Sequence, residues 1–132
     1  MELHDLSFAQ IFILQDDIAE IIVNEGVELD EAMVKEFHLA LLTHLNPPFS
    51  VLVNKKNSYT YDFSAQQILG TLPQINAIAV VVYNSIALKT TEILASYPRE
   101  NKWHMELFSV RQDALAWLIQ EQEVVKQMKL SC

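Results

Sequence analysis

The segment from Asn76 to Tyr83 limits what this chain can fold into more than any other. It reads Asn-Ala-Ile-Ala-Val-Val-Val-Tyr, so small and β-branched side chains follow one another without alternation of apolar and polar residues. Successive side chains of a strand point to opposite faces, and a strand with one wet face would therefore alternate. We predict a strand that is covered on both faces, as in the interior of a parallel sheet.

Predicted strands and helices alternate along the rest of the chain. Two apolar runs separated by a turn predict an opening hairpin, and Asn46-Pro47-Pro48 ends the first helix because neither proline donates a backbone hydrogen bond. This order favours an α/β fold in one domain, with an open, mostly parallel sheet of about five strands and flanking helices. The predicted strands cover 8–14, 18–23, 49–53, 76–83 and 103–108, with an extended piece at 59–63, and the helices run from about 30 to 45, 65 to 72, 85 to 97 and 110 to 128.

Polar residues that can accept backbone N–H groups mark the predicted helix starts. Asp30 is expected to cap the first helix, and Asn84 with Ser85 the third. The segments 64–67 and 109–112 have the Ser-x-x-Gln spacing of a capping box, in which the serine caps the helix. The helix residues expected to be buried include Ile86, Ile93 and Leu94 in the third helix and Leu115, Leu118 and Ile119 in the last.

The charge of the chain argues against some partners. Nine Lys and Arg against 17 Asp and Glu give a net charge of −8, which repels nucleic acid and anionic lipid head groups. Residues 1–53 hold ten of the acids and one base, which predicts an acidic face. A solvated face is the simpler interpretation, and a docking surface for a basic partner is the alternative. The acids concerned are Asp16, Asp17, Glu20, Glu25, Glu28, Asp30, Glu31 and Glu36.

The two ends of the sequence bear on location and redox chemistry. Met1 to Asp5 lack the basic lead and apolar stretch of a secretory signal, and no apolar run approaches the roughly 20 residues of a membrane span. We therefore expect a cytoplasmic protein without a transmembrane segment. Cys132 is the only cysteine, so the chain has no internal disulfide and no cysteine-based zinc site.

No combination of residues predicts an enzyme. The chain has two glycines, Gly26 and Gly70, which excludes the glycine-rich phosphate and dinucleotide loops and the Gly-x-Ser-x-Gly nucleophile motif. His38 and His44 are six residues apart, whereas a metal pair on one helix is four apart. We predict a non-enzymatic protein with no metal site and no cofactor.

Two segments carry a family resemblance. The strand Ala77–Val81 leads into the serine-containing turn Asn84-Ser85, and Phe108 ends a strand before the helix that holds Ala114–Leu118, Ala-Leu-Ala-Trp-Leu. These segments, and the order of elements over nearly the whole chain, resemble the SpoIIAA-like, STAS-type family of small bacterial domains. The resemblance implies an open sheet of about five strands with flanking helices.

Relatives of that family suggest two roles. Some are anti-sigma-factor antagonists that are switched by phosphorylation at an Asp-Ser-Ser-Gly motif, and here Asp62-Phe63-Ser64-Ala65 matches it only at Asp62 and Ser64. A phosphate on Ser64 would meet the positive end of a helix dipole, with Lys55 and Lys56 nearby in sequence, although a plain helix cap also explains this serine. A related branch resembles the CRAL-TRIO carriers of apolar ligands.

Aromatic residues suggest a pocket that would suit the second role. Open α/β sheets usually bind ligands at the carboxyl ends of their strands, and ordinary core packing is the alternative for the same residues. The sequence thus leaves two hypotheses, an interaction or regulatory module with a protein partner, expected also to form a homodimer, and a binder of a small apolar molecule or lipid. The candidate pocket residues are Tyr59, Tyr61, Phe63, Tyr83 and Trp103.

Overall fold

A six-stranded mixed sheet forms the centre of the molecule, which is known from a computed structural model that describes residues 2–96 and 104–130. Its strand order is β1-β2-β3-β5-β7-β8, and β4 and β6 form a separate pair. The strands are β1 Glu2–Asp5, β2 Ala9–Gln15, β3 Ile18–Val23, β4 Glu28–Leu29, β5 Phe49–Asn54, β6 Thr60–Tyr61, β7 Ile75–Val81 and β8 Met105–Phe108, and the helices are α1 Glu31–His44, α2 Phe63–Ile68, α3 Ser85–Ala95 and α4 Arg111–Leu130.

The predicted α/β class, the opening hairpin and the parallel remainder of the sheet are confirmed. Strands β1, β2 and β3 pair antiparallel, whereas β3, β5, β7 and β8 pair parallel in that order. The sheet has six strands because Glu2–Asp5 adds an edge strand beside β2. A mostly polar edge strand has no apolar run by which it can be recognised, and edge strands are commonly polar because this discourages pairing with other chains.

Strand β7 is covered on both faces, as its sequence predicts. Ala77 and Ala79 lie fully buried in the cluster that Leu118 of α4 enters, while Ile78 and Val80 point to the opposite face. The alanines leave room for α4 to pack closely against the sheet. The two faces are named here by their helices, as the α4 face and the α1/α3 face.

Helix α1 follows its sequence signals closely. Asp30 caps it by accepting the N–H of Met33 at 2.9 Å, and Val34, Phe37 and Leu41 are buried against the sheet. These positions follow the spacing of an amphipathic helix. None of the described helices combines the length and the apolar character that crossing a membrane requires.

The caps predicted at serines are wrong for α2 and α4. Asp62, two residues before Ser64, caps α2 by accepting the N–H of Ala65 at 2.8 Å. The helix ends at Ile68, because Leu69 is extended and Gly70 takes a positive φ of 70° that favours glycine. Helix α4 starts at Arg111, so Val110 rather than Ser109 precedes it.

Helix α3 begins as predicted but buries a different side. Asn84 caps it by accepting the N–H of Ala87 at 2.7 Å. Leu94 is buried, whereas Ile86 and Ile93 are 78% and 53% exposed. Thr91 takes a buried position because its hydroxyl can donate to the carbonyl of Ala87 at 2.8 Å. Ile119 of α4, also expected in the core, is exposed, and Pro98, Trp103 and Cys132 lie outside the described residues.

Candidate functional site

Two adjoining spaces lie on the α1/α3 side of the molecule. The outer one is at the carboxyl ends of the parallel strands, whereas the inner one runs along the sheet as far as Ile75 and Met105, the first residues of β7 and β8. The inner cavity lies between the α1/α3 face of the sheet and the helices that cover it, and its volume is about 60 Å³. The outer cleft, with a volume of about 460 Å³, lies between the segments 25–27 and 55–60 and the start of α3. Carboxyl ends of parallel strands are where open α/β sheets bind ligands.

The inner cavity is apolar. Most of its lining consists of aliphatic and aromatic side chains from strands β3, β5 and β7 and helices α1 and α3. A single water needs roughly 10–15 Å³ of such space and several polar partners, so the cavity is larger than one water requires and poorly suited to holding water. Representative lining residues are Ile21, Phe37, Val51, Val53, Ile78 and Leu94.

Lys55 and Tyr59 line both spaces. Lys55 follows the last residue of β5, and its backbone N–H donates to the carbonyl of Val81 at 3.0 Å, which holds it beside β7. Lys55 is only 8% exposed. The boundary between the apolar cavity and the wet cleft is therefore formed by a lysine.

The ammonium of Lys55 contacts two tyrosine rings. Its Nζ lies 5.2 Å from the ring centre of Tyr59 and 5.1 Å from that of Tyr61, within the range of cation–π attraction. Among the residues that the structure describes, Lys55 Nζ makes no ion pair and no hydrogen bond. A lysine that is this little exposed and has no anionic partner is unusual.

The two tyrosines also contact one another. Their rings meet edge to face at 5.5 Å, and the hydroxyl of Tyr61 donates to that of Tyr59 at 3.4 Å. Burial raises the pKa of Tyr59 well above its usual value, with a further contribution from Tyr61. Tyr59 is therefore a neutral hydroxyl at physiological pH and a poor general base.

The other aromatic residues predicted for a pocket lie elsewhere. Phe63 is 72% exposed at the start of α2, and Tyr83 is 52% exposed after β7. Neither is among the residues that line the inner cavity or the outer cleft. Trp103 lies outside the described residues.

The candidate serines have less support from their surroundings. Ser64 is exposed in the first turn of α2, where the Asp62 carboxylate already accepts a backbone N–H. A phosphate on Ser64 would meet that negative charge at a six-residue helix. Ser85, the first residue of α3, is exposed beside the outer cleft but does not line it, whereas Lys56 does.

Two acids expected on an acidic face are instead buried on the α4 face. Glu20 and Asp17 are each 4% exposed. Arg111 donates to Glu20 from Nε at 3.0 and 3.1 Å and from Nη2 at 2.6 Å, and Asn54 donates to it at 2.9 Å. Burial alone would raise the pKa of Glu20, but the hydrogen bonds from Arg111 and Asn54 outweigh it and lower that pKa.

Helix α4 also supplies a hydrogen-bond donor and an ion-pair partner for Asp17. The amide of Gln122 donates to Asp17 at 2.8 Å, and Lys126 approaches it at 3.4 Å. Gln122 is itself buried and accepts a hydrogen bond from Ser50. These contacts join α4 to the sheet through charged and polar groups that each have a partner, and the sequence offers no short-range signal for them because the partners are 72 or more residues apart.

A cluster of metal-ligating residue types also escapes the sequence analysis. His4 in β1 and His44 at the end of α1 stack with ring centres 3.7 Å apart, and Glu2 lies 2.7 Å from His4 Nε2. One ligand atom from each of the three residues lies within 4.8 Å of the others. Spacing along one helix cannot reveal a pair that is built from a strand and a distant helix.

No protein-family model, curated protein or solved structure matches this chain.

Proposed function

We propose that this protein is a non-enzymatic binding domain that holds a small, mainly apolar molecule in the inner cavity. The observation that carries the proposal is the apolar space along the α1/α3 face of the sheet, which shares the lining residues Lys55 and Tyr59 with the outer cleft. Apolar cavities stay poorly hydrated and gain free energy when an apolar group fills them. The outer cleft lies at the carboxyl ends of the strands, which is where ligands bind in comparable sheets.

Binding is favoured over catalysis by the chemistry of the lining. The ionisable side chains described around the inner cavity are Lys55, Tyr59 and Tyr61. The raised pKa of Tyr59 suits a hydrogen-bond donor better than a proton acceptor. No nucleophile with an adjacent base is found among these lining residues.

A titration with hexan-1-ol followed by amide NMR tests the proposal. We expect saturable shifts at Ile21, Val51 and Val53, because all three line the inner cavity. Val53→Phe places a larger side chain in that space and should remove the shifts while the protein stays folded. The control Val110→Phe changes a residue that is 49% exposed and should leave binding unaltered. Absence of saturable binding in the natural protein would refute the proposal.

An interaction module of the STAS type is the second candidate function. The favouring observation is that Ile86 and Ile93, seven residues apart on one side of α3, are 78% and 53% exposed. Clustered exposed apolar residues often mark a protein interface. Sedimentation of the natural protein and of Ile86→Glu tests self-association through this helix. A monomer at all concentrations, unchanged by the substitution, would remove the homodimer form of this candidate.

A further inference from the structure

We propose that the ligand carries an anionic end, a carboxylate or a phosphate monoester, and that Lys55 binds it. This inference rests on the proposed function, because it names the chemistry of a molecule held at the same site. Lys55 is 8% exposed, and the described contacts of its ammonium are with the rings of Tyr59 and Tyr61.

The Lys55 ammonium has no hydrogen-bond acceptor among the described residues, and it reaches solvent at the outer cleft, because it is not one of the buried polar atoms left without a partner. Lysine has three N–H donors, and a ring face attracts the charge without accepting hydrogen bonds of ordinary strength. Elsewhere in the same chain, the buried charged groups Asp17 and Glu20 receive two or more hydrogen bonds each. An acceptor supplied by a ligand would complete the surroundings of Lys55 in the way that Arg111 completes those of Glu20.

The position of Lys55 between the two spaces determines how such a ligand would be oriented. Lys55 lines both spaces, so a molecule with its apolar part in the inner cavity and its charged end in the outer cleft would pass directly beside the ammonium. Its apolar part would then contact apolar side chains, and its charged end would stay in contact with water. The volumes of about 60 Å³ inside and 460 Å³ outside fit a short apolar tail and a hydrated head.

The other charges around the outer cleft also favour an anion. Lys56 lines the cleft and adds a second positive charge. Helix α3 begins there at Asn84, so the positive end of its dipole faces the same region. Glu25 opposes an anion, but its carboxylate already accepts the N–H of Ser58 at 3.0 Å. Two lysines therefore outnumber one carboxylate in the lining of the outer cleft.

Isothermal titration with three probes of equal chain length tests the inference. Hexanoate and hexyl phosphate carry the two anionic ends, and hexan-1-ol carries none. We expect at least one anion to bind about tenfold to a hundredfold more tightly than the alcohol, as hydrogen bonds to a charged group allow. The relative affinity of hexanoate and hexyl phosphate then distinguishes the two sources of negative charge.

Variants at Lys55 separate the inference from the proposed function. Lys55→Met keeps the length and apolar stem of the side chain, and it should reduce the anion's affinity to that of the alcohol. Lys89→Gln removes an exposed lysine that does not line the cleft, and it should change nothing. Equal binding of alcohol and anions by the natural protein would overturn the anion inference and leave the proposed function standing. Failure of all three probes would overturn both.

Independently, we infer that His4, His44 and Glu2 can bind a divalent transition metal such as Zn²⁺. Two imidazoles and one carboxylate are a donor set that zinc uses, with an open fourth position. The ligand atoms lie within 4.8 Å of one another, and one imidazole must turn out of the 16° stacked arrangement for both ring nitrogens to point at the same ion. A bound ion would join the edge strand β1 to the end of α1.

Titration of the purified protein with Zn²⁺ tests this site, with Co²⁺ absorption as a second signal that reports ligand geometry. We expect 1:1 binding that His44→Ala weakens at least tenfold. His104→Ala is the matched control, because His104 pairs with Glu121 at 3.1 Å, outside the three-residue cluster. Equal zinc affinity in the natural protein and in His44→Ala would overturn the assignment.

Discussion

The two faces of the sheet treat buried polar groups differently. On the α4 face, Glu20 and Asp17 are buried with Arg111, Asn54 and Gln122 as partners. On the α1/α3 face, the packing encloses an apolar cavity and leaves Lys55 with two tyrosine rings. The first face is complete within the chain, and the second has both the space and the charge that a ligand would use. The difference is what we expect if α4 stabilises the fold and the α1/α3 face binds the ligand that we propose.

Breaking the Glu20–Arg111 pair should produce the largest effect. Arg111→Met leaves the buried carboxylate of Glu20 without its strongest partner, and we expect a loss of about 3–5 kcal/mol in the free energy of unfolding. Chemical denaturation measures it. The double variant Glu20→Leu with Arg111→Met removes both charges and should recover much of the loss. A single variant as stable as the natural protein would contradict the idea that α4 is held by satisfied charges.

Truncating one leucine on each face compares their packing. Leu118 in α4 is fully buried, and Leu118→Ala should cost about 3 kcal/mol. Leu94 in α3 borders the inner cavity, so it loses fewer contacts on truncation, and Leu94→Ala should cost about 1 kcal/mol less. The same denaturation series measures both. Equal costs would show that the cavity does not weaken packing on the α1/α3 face.

Acid should weaken the α1/α3 side through His38. Burial lowers the pKa of His38 to about 4, and its Nε2 accepts the N–H of Gly70 at 3.2 Å. Because the unfolded chain takes up this proton near pH 6.5, stability should fall as the pH drops from about 6.5 to about 4. Between pH 7 and pH 5 the loss should be about 2 kcal/mol.

His38→Gln is the control for that dependence. Glutamine offers a carbonyl acceptor for Gly70 but does not titrate. Unfolding measured at pH 7 and pH 5 should show a smaller difference in this variant than in the natural protein. An identical pH dependence would mean that His38 is not held neutral by its surroundings.

Lys55→Met should have the smallest effect on stability. Lys55 is 8% exposed and its ammonium has no hydrogen-bond or ion-pair partner among the described residues, so replacing it by an apolar side chain should change stability by between zero and about 1 kcal/mol in favour of the variant. Thermal unfolding without ligand measures it. A marked destabilisation would show that the cation–π contacts with Tyr59 and Tyr61 are structural, which would weaken the contrast between the faces.

Local patterns predicted the fold far better than the site. The unalternating run in β7 and the cap at Asp30 are local signals, and both agree with the structure. The burial of Glu20 and Asp17 was not predictable, because their partners lie on α4 at the other end of the chain. Ile86 looked like core because it is apolar, but only the packing of α3 decides which side is covered.

The sequence predicts only part of the candidate site, because the contacts within it also join distant segments of the chain. The sequence points to Tyr59, Tyr61 and Lys55, yet it suggests Lys55 as a partner for a phosphate on Ser64 rather than as the boundary of a cavity. Its burial depends on where β5 ends relative to β7 and where the tyrosines of the following segment fold back. The contact between His4 and His44 likewise required the pairing of β1 with the sheet.

Methyl NMR during a hexanoate titration tests the contrast between the two faces most directly. Ile21, Val53 and Ile78 line the inner cavity, whereas Ile18 and Val81 belong to the cluster under α4. We predict saturable shifts of the first group, with the second group nearly unchanged. Shifts of equal size on both faces, or no saturable shift on either, would contradict a ligand site on the α1/α3 face.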